Sequence, residues 1–330
     1  MTPKHEPLSP EIRERIHKLA EKYEAMGQDL GSYLDGLLYA NYLTYWDYVH
    51  LDTLLSLQTP RTDFPDEEVF IIYHQITELY FKAIQHELKQ LAERKSELEA
   101  DFFLTRIKRI NRYIGQLVNS FEVMVDGMEV EQFLKFRMSL LPSSGFQSAQ
   151  FREIEIRMTN FSQLVHPDHR ADFDEKSSLE ECFQYIYWKR GAIEAETQKK
   201  TLTLRQFEKK YAEHLLKLAR ECQDSNLAYL FRHHVSASGR TREKIVRELR
   251  RTDSLMNVDW ALAHYKSAVR YLQRKHETVA ATGGTNWQEY LPPKFQRIIF
   301  FPELWDEQEI AEWGKHWVEE NVGLRKPVKG

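Results

Sequence analysis

FIIYHQITELYF, residues 70–81, decides how this chain folds. The run is longer than an ordinary strand, and Pro65-Asp66-Glu67-Glu68 just ahead of it supplies a proline and three acids suited to a first helical turn. At helical spacing Phe70, Ile71, His74, Thr77, Glu78 and Phe81 share one stripe. Val69, Ile72, Tyr73, Ile76 and Tyr80 cover most of the remaining circumference, so the pattern predicts a helix buried nearly all round. His74 then either has its ring nitrogens satisfied within a packed core, or faces an internal cavity where a ligand uses them.

The same period recurs along the chain. Ser9-Pro10-Glu11 reads as a cap and first helical position, and Phe103, Ile107, Ile110, Ile114, Leu117 and Phe121 repeat at helical spacing over residues 101–124. Further helical runs cover 203–222 and 258–276, and strands have almost no signal. With only 13 glycines and 11 prolines, the expectation is an all-α protein, a single helical domain over residues 1–330. Breaks fall at 58–63, 141–145, 166–168 and 281–286, and none has the composition of a flexible linker. The arginine-rich stretch SASGRTREKIVRELRR, residues 236–251, reads as a solvated helix face or a mobile basic loop.

Fifty acidic against 46 basic residues give a formal charge of -4, so no global field draws the chain to nucleic acid or to an anionic membrane. Two cysteines, Cys182 and Cys222, with no CxxC pair, give neither a disulfide framework nor a cysteine-based zinc site. The charged start MTPKHEPLSPEIRERIHKLAEKYEAMG lacks the apolar centre of a signal peptide, and no later segment has the apolar length of a membrane span. The expected setting is the cytoplasm.

GxGxxG, Walker and GxSxG motifs are absent, and HELKQ at 86–90 lacks the second histidine of a zincin. His166 and His169 in HPDH lie in a polar turn, and His233 and His234 point in different directions on a helix. His264 is more informative. In NVDWALAHYKSAVRYL it shares a stripe with Trp260, Ala261, Ala268 and Tyr271, and the alanines leave the room a flat macrocycle needs beside a histidine bound to a haem iron. A helix-packing histidine fits the segment too. The glycine pair in TGGTN, residues 282–286, permits close approach of a ligand to main-chain amides, or simply makes a connection.

Taken in order, LTYWDYVHLDTLLSLQTP, FIIYHQITELYFK, FRMSLLPSSGFQSAQFR, WALAHYKSAVRYL with TGGT, and FFPELW resemble the tryptophan 2,3-dioxygenases over Leu43 to Trp305. The resemblance implies a helical bundle with a buried haem pocket, assembled as a tetramer (a dimer of dimers). It implies ring opening of L-tryptophan, or a closely related aromatic amino acid, by dioxygen to N-formyl-L-kynurenine, the first step of the kynurenine pathway. Its cofactor would be non-covalent haem b, ferrous when active. His74 matches the distal histidine that hydrogen-bonds the indole N–H, and Phe70 the aromatic wall. Arg137 matches the partner of the substrate carboxylate, Thr282 the residue holding ammonium and carboxylate, Gly283 the glycine loop at the cofactor, and His264 the axial ligand of the haem iron. Tyr45 and Tyr48 match tyrosines that reach a neighbouring subunit, so the segment of about residues 1–50 would serve another copy of the chain.

An amino acid with an apolar ring does need a cationic anchor, a polar loop and an aromatic slot, and dioxygen needs an iron cofactor. Phe133, four residues before Arg137, departs from the tyrosine many relatives carry, and the loop HETVAATGGTNW departs from the family's basic version. Two rivals remain at this stage. One is a haem monooxygenase or hydroxylase of an aromatic amino acid on the same fold, though not through an HxxxC thioether, since Ala268 stands four residues after His264. The other is a non-enzymatic helical binding protein whose histidines are core residues.

Overall fold

The computed structural model describes residues 8–39, 44–140, 142–194, 197, 199–272 and 292–314. Among these there is no β-strand, only two isolated bridges, Val165 with Ile186 and Ile193 with Lys200. The all-α expectation holds. Two compact units are distinguished, Met1–Gln58 and Thr59–Gly330.

In the first unit, α1 (Pro10–Ala25) begins where Ser9 Oγ accepts from Ile12 N and Pro10 takes a first-turn position whose N–H would go unpaired. Gly27, with φ of 69°, ends it. The following α2 (Leu30–Tyr39) is tied back by Tyr23 and Tyr33, whose ring centroids lie 4.5 Å apart. Neither helix buries a residue, nor does the short helix Tyr45–Val49. Leu37, Leu38, Tyr39, Tyr45 and Trp46 are all exposed, an apolar surface of the kind that marks association sites.

The second unit is built on α3 (Asp66–Glu93), whose Tyr73, Thr77, Phe81, Ile84, Leu88 and Leu91 recur at spacings of four or three and are all buried. Residues 94–99 turn the chain into α4 (Ala100–Ser120), which buries Phe103, Ile107, Ile110, Ile114 and Leu117 against it. So short a connection makes consecutive helices neighbours. Next come α5 (Val130–Phe136), α6 (Ala149–Met158), α7 (Leu202–Glu221) and α8 (Leu227–His233). Phe81 of α3 and Phe151 of α6 meet at 5.5 Å. On the other side, α9 (Gly239–Ser254) packs along α4. Between them Asn111 Nδ2 donates to the Glu248 carbonyl at 2.9 Å and Thr252 Oγ1 donates to Asn111 Oδ1 at 2.8 Å.

The expectation for α3 needs one correction. Ile72, Ile76 and Leu79 are 39%, 42% and 52% exposed, so the helix has an open apolar face and is not buried all round. Residue type along one helix cannot tell a core face from a face awaiting cover. The arginine-rich stretch is helical, with Ile245 and Leu249 fully buried under a charged outer face. A five-residue π-turn, Leu255–Asp259, leads into α10 (Trp260–Leu272). Nothing in the residue spacing predicts such a turn. No described helix is long and apolar enough to cross a membrane.

Candidate functional site

His74 stands in the third turn of α3, where the helical geometry brings its ring over the preceding turn. Its Nδ1 lies 2.7 Å from the Phe70 carbonyl. A carbonyl only accepts, so Nδ1 carries the proton and Nε2 is left with its lone pair. Burial holds the imidazole below its ordinary pKa, against the opposing pull of the Phe70 carbonyl and the Glu78 carboxylate one turn later. The ring is therefore neutral near pH 7. Phe70 lies beside it, with ring centroids 4.1 Å apart, and extends the aromatic surface to Phe136 at 5.8 Å and Phe133 at 6.2 Å.

His264 repeats the arrangement on α10. Nδ1 lies 2.9 Å from the Trp260 carbonyl, which again leaves the Nε2 lone pair outward. Burial takes its pKa down to about 4 against the pull of the Trp260 carbonyl, and the Arg152 charge, with that of His74 whenever it is protonated, pushes in the same direction as burial. The two imidazoles are thus within electrostatic reach of one another, although they come from helices far apart in sequence. Phe121 physically bridges their surroundings: its ring lies 4.5 Å from His264, 5.2 Å from Trp260 and 5.8 Å from Tyr73, the neighbour of His74.

The donor chemistry at His264 fits a haem. One neutral imidazole nitrogen, its tautomer fixed by a hydrogen bond at the other nitrogen, is the ligand a haem iron takes. Neighbouring Ala261, Ala263 and Ala268 add little bulk around it. Among the described residues no cluster of three His, Cys, Asp or Glu side chains could hold a bare metal ion, HPDH included.

Arg137 opens a 3-10 turn, Arg137–Leu140, directly after α5. It is only 5% exposed, and burial lowers the proton affinity of its guanidinium. Its neighbour Phe136 is fully buried, and Phe133 packs on Tyr271 of α10 at 4.5 Å. The polypeptide carrying Arg137 is thereby joined to both histidine helices through aromatic contacts. Tyr45 and Tyr48 lie on the short helix of the first unit, 70% and 73% exposed. Thr282 and Gly283 lie outside the described residues.

Two groups escaped the sequence reading. In the first, Arg152 Nη1 bonds Glu155 at 3.0 Å and the Tyr187 hydroxyl at 3.1 Å, and Tyr187 in turn donates to Glu155. The Arg-x-x-Glu spacing on α6 was a visible signal, but Tyr187 was not, being brought in only by tertiary packing. In the second, the fully buried Asp253 accepts four hydrogen bonds at the end of α9.

The family model for tryptophan 2,3-dioxygenase matches residues 38–214. The chain is 44% identical over 113 residues to a tryptophan 2,3-dioxygenase of Anaeromyxobacter sp. (strain K), covering 34% of this chain and 42% of that relative. The match therefore spans less than half the length of that protein. Longer, more distant matches include the tryptophan 2,3-dioxygenases of Bordetella parapertussis, 27% identical over 86% of this chain and 96% of the relative, and of Polaromonas naphthalenivorans, 27% identical over 80% and 90%.

Proposed function

The chain belongs to the tryptophan 2,3-dioxygenase family, and from that premise we propose that it uses haem b and dioxygen to open the indole ring of L-tryptophan, giving N-formyl-L-kynurenine. One observation carries the reading. Two partly buried, neutral imidazoles, His74 and His264, each donate Nδ1–H to a carbonyl one turn earlier and keep Nε2 as a lone pair. A haem site of this kind needs one such nitrogen for iron, and an indole N–H needs another as acceptor.

His264 Nε2 would hold the haem iron. When bound, the haem supplies the activation of dioxygen that no side chain provides. His74 Nε2 accepts the indole N–H and orients the ring. Its depressed pKa keeps that nitrogen an acceptor at neutral pH. Phe70 forms the wall against which the indole lies, and Arg137 pairs with the substrate carboxylate through its planar fork of donors. Arg137 is itself buried, next to the fully buried Phe136, and the low local dielectric strengthens that ion pair. Thr282 holds the ammonium group, and Gly283 allows the loop to approach the cofactor.

Tyr45 and Tyr48 complete the pocket of a neighbouring copy, as the exposure of both and of the apolar residues around them supports. The assembly is then a homotetramer, and its setting cytoplasmic. The experiment is anaerobic reduction of haem-loaded protein followed by oxygen and L-tryptophan, with spectrum and product mass recorded together. Gain of two oxygen atoms with a ferrous haem spectrum is the expected result. Gain of one oxygen replaces the reading with a monooxygenase, and absence of haem uptake rejects both.

A further inference from the structure

Asp253 is fully buried at the C-terminal end of α9, and four donors converge on its carboxylate. Oδ1 accepts from Phe300 N at 2.6 Å and from Asn257 Nδ2 at 3.0 Å. Oδ2 accepts from Phe301 N at 3.1 Å and from Trp305 Nε1 at 3.1 Å. A carboxylate offers about four lone-pair positions, so this one is fully used. All four donors are neutral, and burial without a cationic partner pushes its pKa up to about 7. Phe300 and Phe301 are themselves fully buried, so apolar contact already anchors their segment, and the carboxylate adds a desolvation cost that this anchoring does not require.

Its position suggests what it is for. Asn257, one of the four donors, lies inside the π-turn Leu255–Asp259. That turn closes where Trp260 N–H donates to the Leu255 carbonyl, five residues back. The carbonyl of the same Trp260 accepts the Nδ1 proton of His264. One residue therefore has its N–H committed to the π-turn and its C=O to the histidine. The carboxylate bonds the turn through Asn257 and bonds the 300–305 segment through its other three donors.

We infer that Asp253 is a positioning residue for His264: by pinning residues 300–305 and Asn257 to one carboxylate it fixes the π-turn, the Trp260 carbonyl and thus the direction of His264 Nε2. The inference rests on His264 being the haem ligand.

The test compares full-length Asp253→Asn with Asn111→Ala, which removes a buried side chain that bonds α9 at Glu248 and Thr252 and is none of the four donors to Asp253. Circular dichroism and thermal melts establish the temperature at which each variant is folded, and hemin titration and the ferrous iron–histidine stretching band are read below it. In Asp253→Asn the hemin dissociation constant is expected to rise about tenfold or more, the size seen when an orienting partner of a ligand is lost. The iron–histidine band is expected to shift or broaden, and Asn111→Ala to keep the wild-type band. An unchanged band and affinity in folded Asp253→Asn overturns the inference, as do equal changes in both variants in proportion to lost stability. Should Asp253→Asn not fold, Trp305→Phe, which deletes one donor and keeps the carboxylate, is judged by the same two outcomes. His264→Ala that binds hemin like the wild type sinks the ligand assignment itself, a failure distinct from an unaltered Asp253 variant on a working His264.

Discussion

His264 donates its Nδ1 proton to the main-chain carbonyl of Trp260, 2.9 Å away on the same helix. The bond sets the tautomer, and it does so with a backbone acceptor that no side-chain substitution removes. His74 and the Phe70 carbonyl repeat it at 2.7 Å. Two rings thus hold the same tautomer for different tasks, and removing each should fail differently.

His264→Ala should abolish stable haem uptake, whereas His74→Ala should keep the haem and lose turnover. Hemin titration followed by absorption, with activity measured on the same samples, separates the two. Haem loss in both variants would mean that His74 supports the fold and not the substrate.

Arg137→Ala should leave haem binding intact and weaken tryptophan binding by about 2 kcal/mol or more, roughly thirtyfold, because a buried charge-assisted pair loses one member. Arg137→Lys should recover only part of this, since an ammonium cannot reproduce the planar fork. The check is substrate binding measured spectrally on the haem-loaded protein. A wild-type affinity in Arg137→Ala would place the carboxylate elsewhere.

Phe121→Ala should cost about 3–5 kcal/mol of stability, as for other buried phenylalanines, and should do so in the haem-free protein. Its ring fills the space between Tyr73, Trp260 and His264, so the cavity opens beside the ligand. Denaturant titration measures the loss, and hemin affinity should fall along with it.

Acid should act on His264 with a definite sign. The folded protein lowers its pKa from 6.5 to about 4, so the unfolded chain takes up the proton first as pH falls. The stability contributed is fully present above 6.5 and is lost progressively as pH falls through 4, by up to about 2 kcal/mol at pH 5. Asp253 works in the opposite sense, its folded pKa being raised to about 7, so its stabilising share is present below 3.8 and lost as pH rises through 7. The net slope in the wild-type apo protein is accordingly shallow. His264→Gln should lose less stability than the wild type between pH 7.5 and pH 5, as read from thermal melts.

Mixing should reveal whether Tyr45 and Tyr48 serve a neighbour. A Tyr45→Ala, Tyr48→Ala double variant and Arg137→Ala, each impaired alone, should regain activity when refolded together. Random pairing in a symmetric assembly gives about a quarter of sites with both parts intact. No recovery would mean that one chain supplies both.

The helices of the main unit were legible because their apolar spacing is strong: Phe103, Ile107, Ile110, Ile114 and Leu117 were read as one face and form one. His74 and His264 were legible as anomalies, polar rings on apolar stripes. The open face at Ile72, Ile76 and Leu79 was not, because a helix reports how apolar a face is and says nothing of what covers it. The Arg152–Glu155–Tyr187 cluster was hidden for another reason. Its members come from segments more than thirty residues apart, and only tertiary packing joins them. Asp253 carries no signal of its own, because three of its four donors lie in a loop no pattern pairs with it and the fourth, Asn257, lies in the π-turn.

The π-turn at Leu255–Asp259 bears on how this chain tolerates change in length. A turn closed by a bond five residues back holds one residue more than an α-turn. Losing one residue there lets the helix revert to ordinary winding while α9 and α10 keep their faces. Losing one anywhere else between Asp253 and His264 would swing the histidine by about 100° around the axis. Insertions and deletions usually settle in loops. In this chain the position that tolerates a gap lies inside a helix, a few residues before His264.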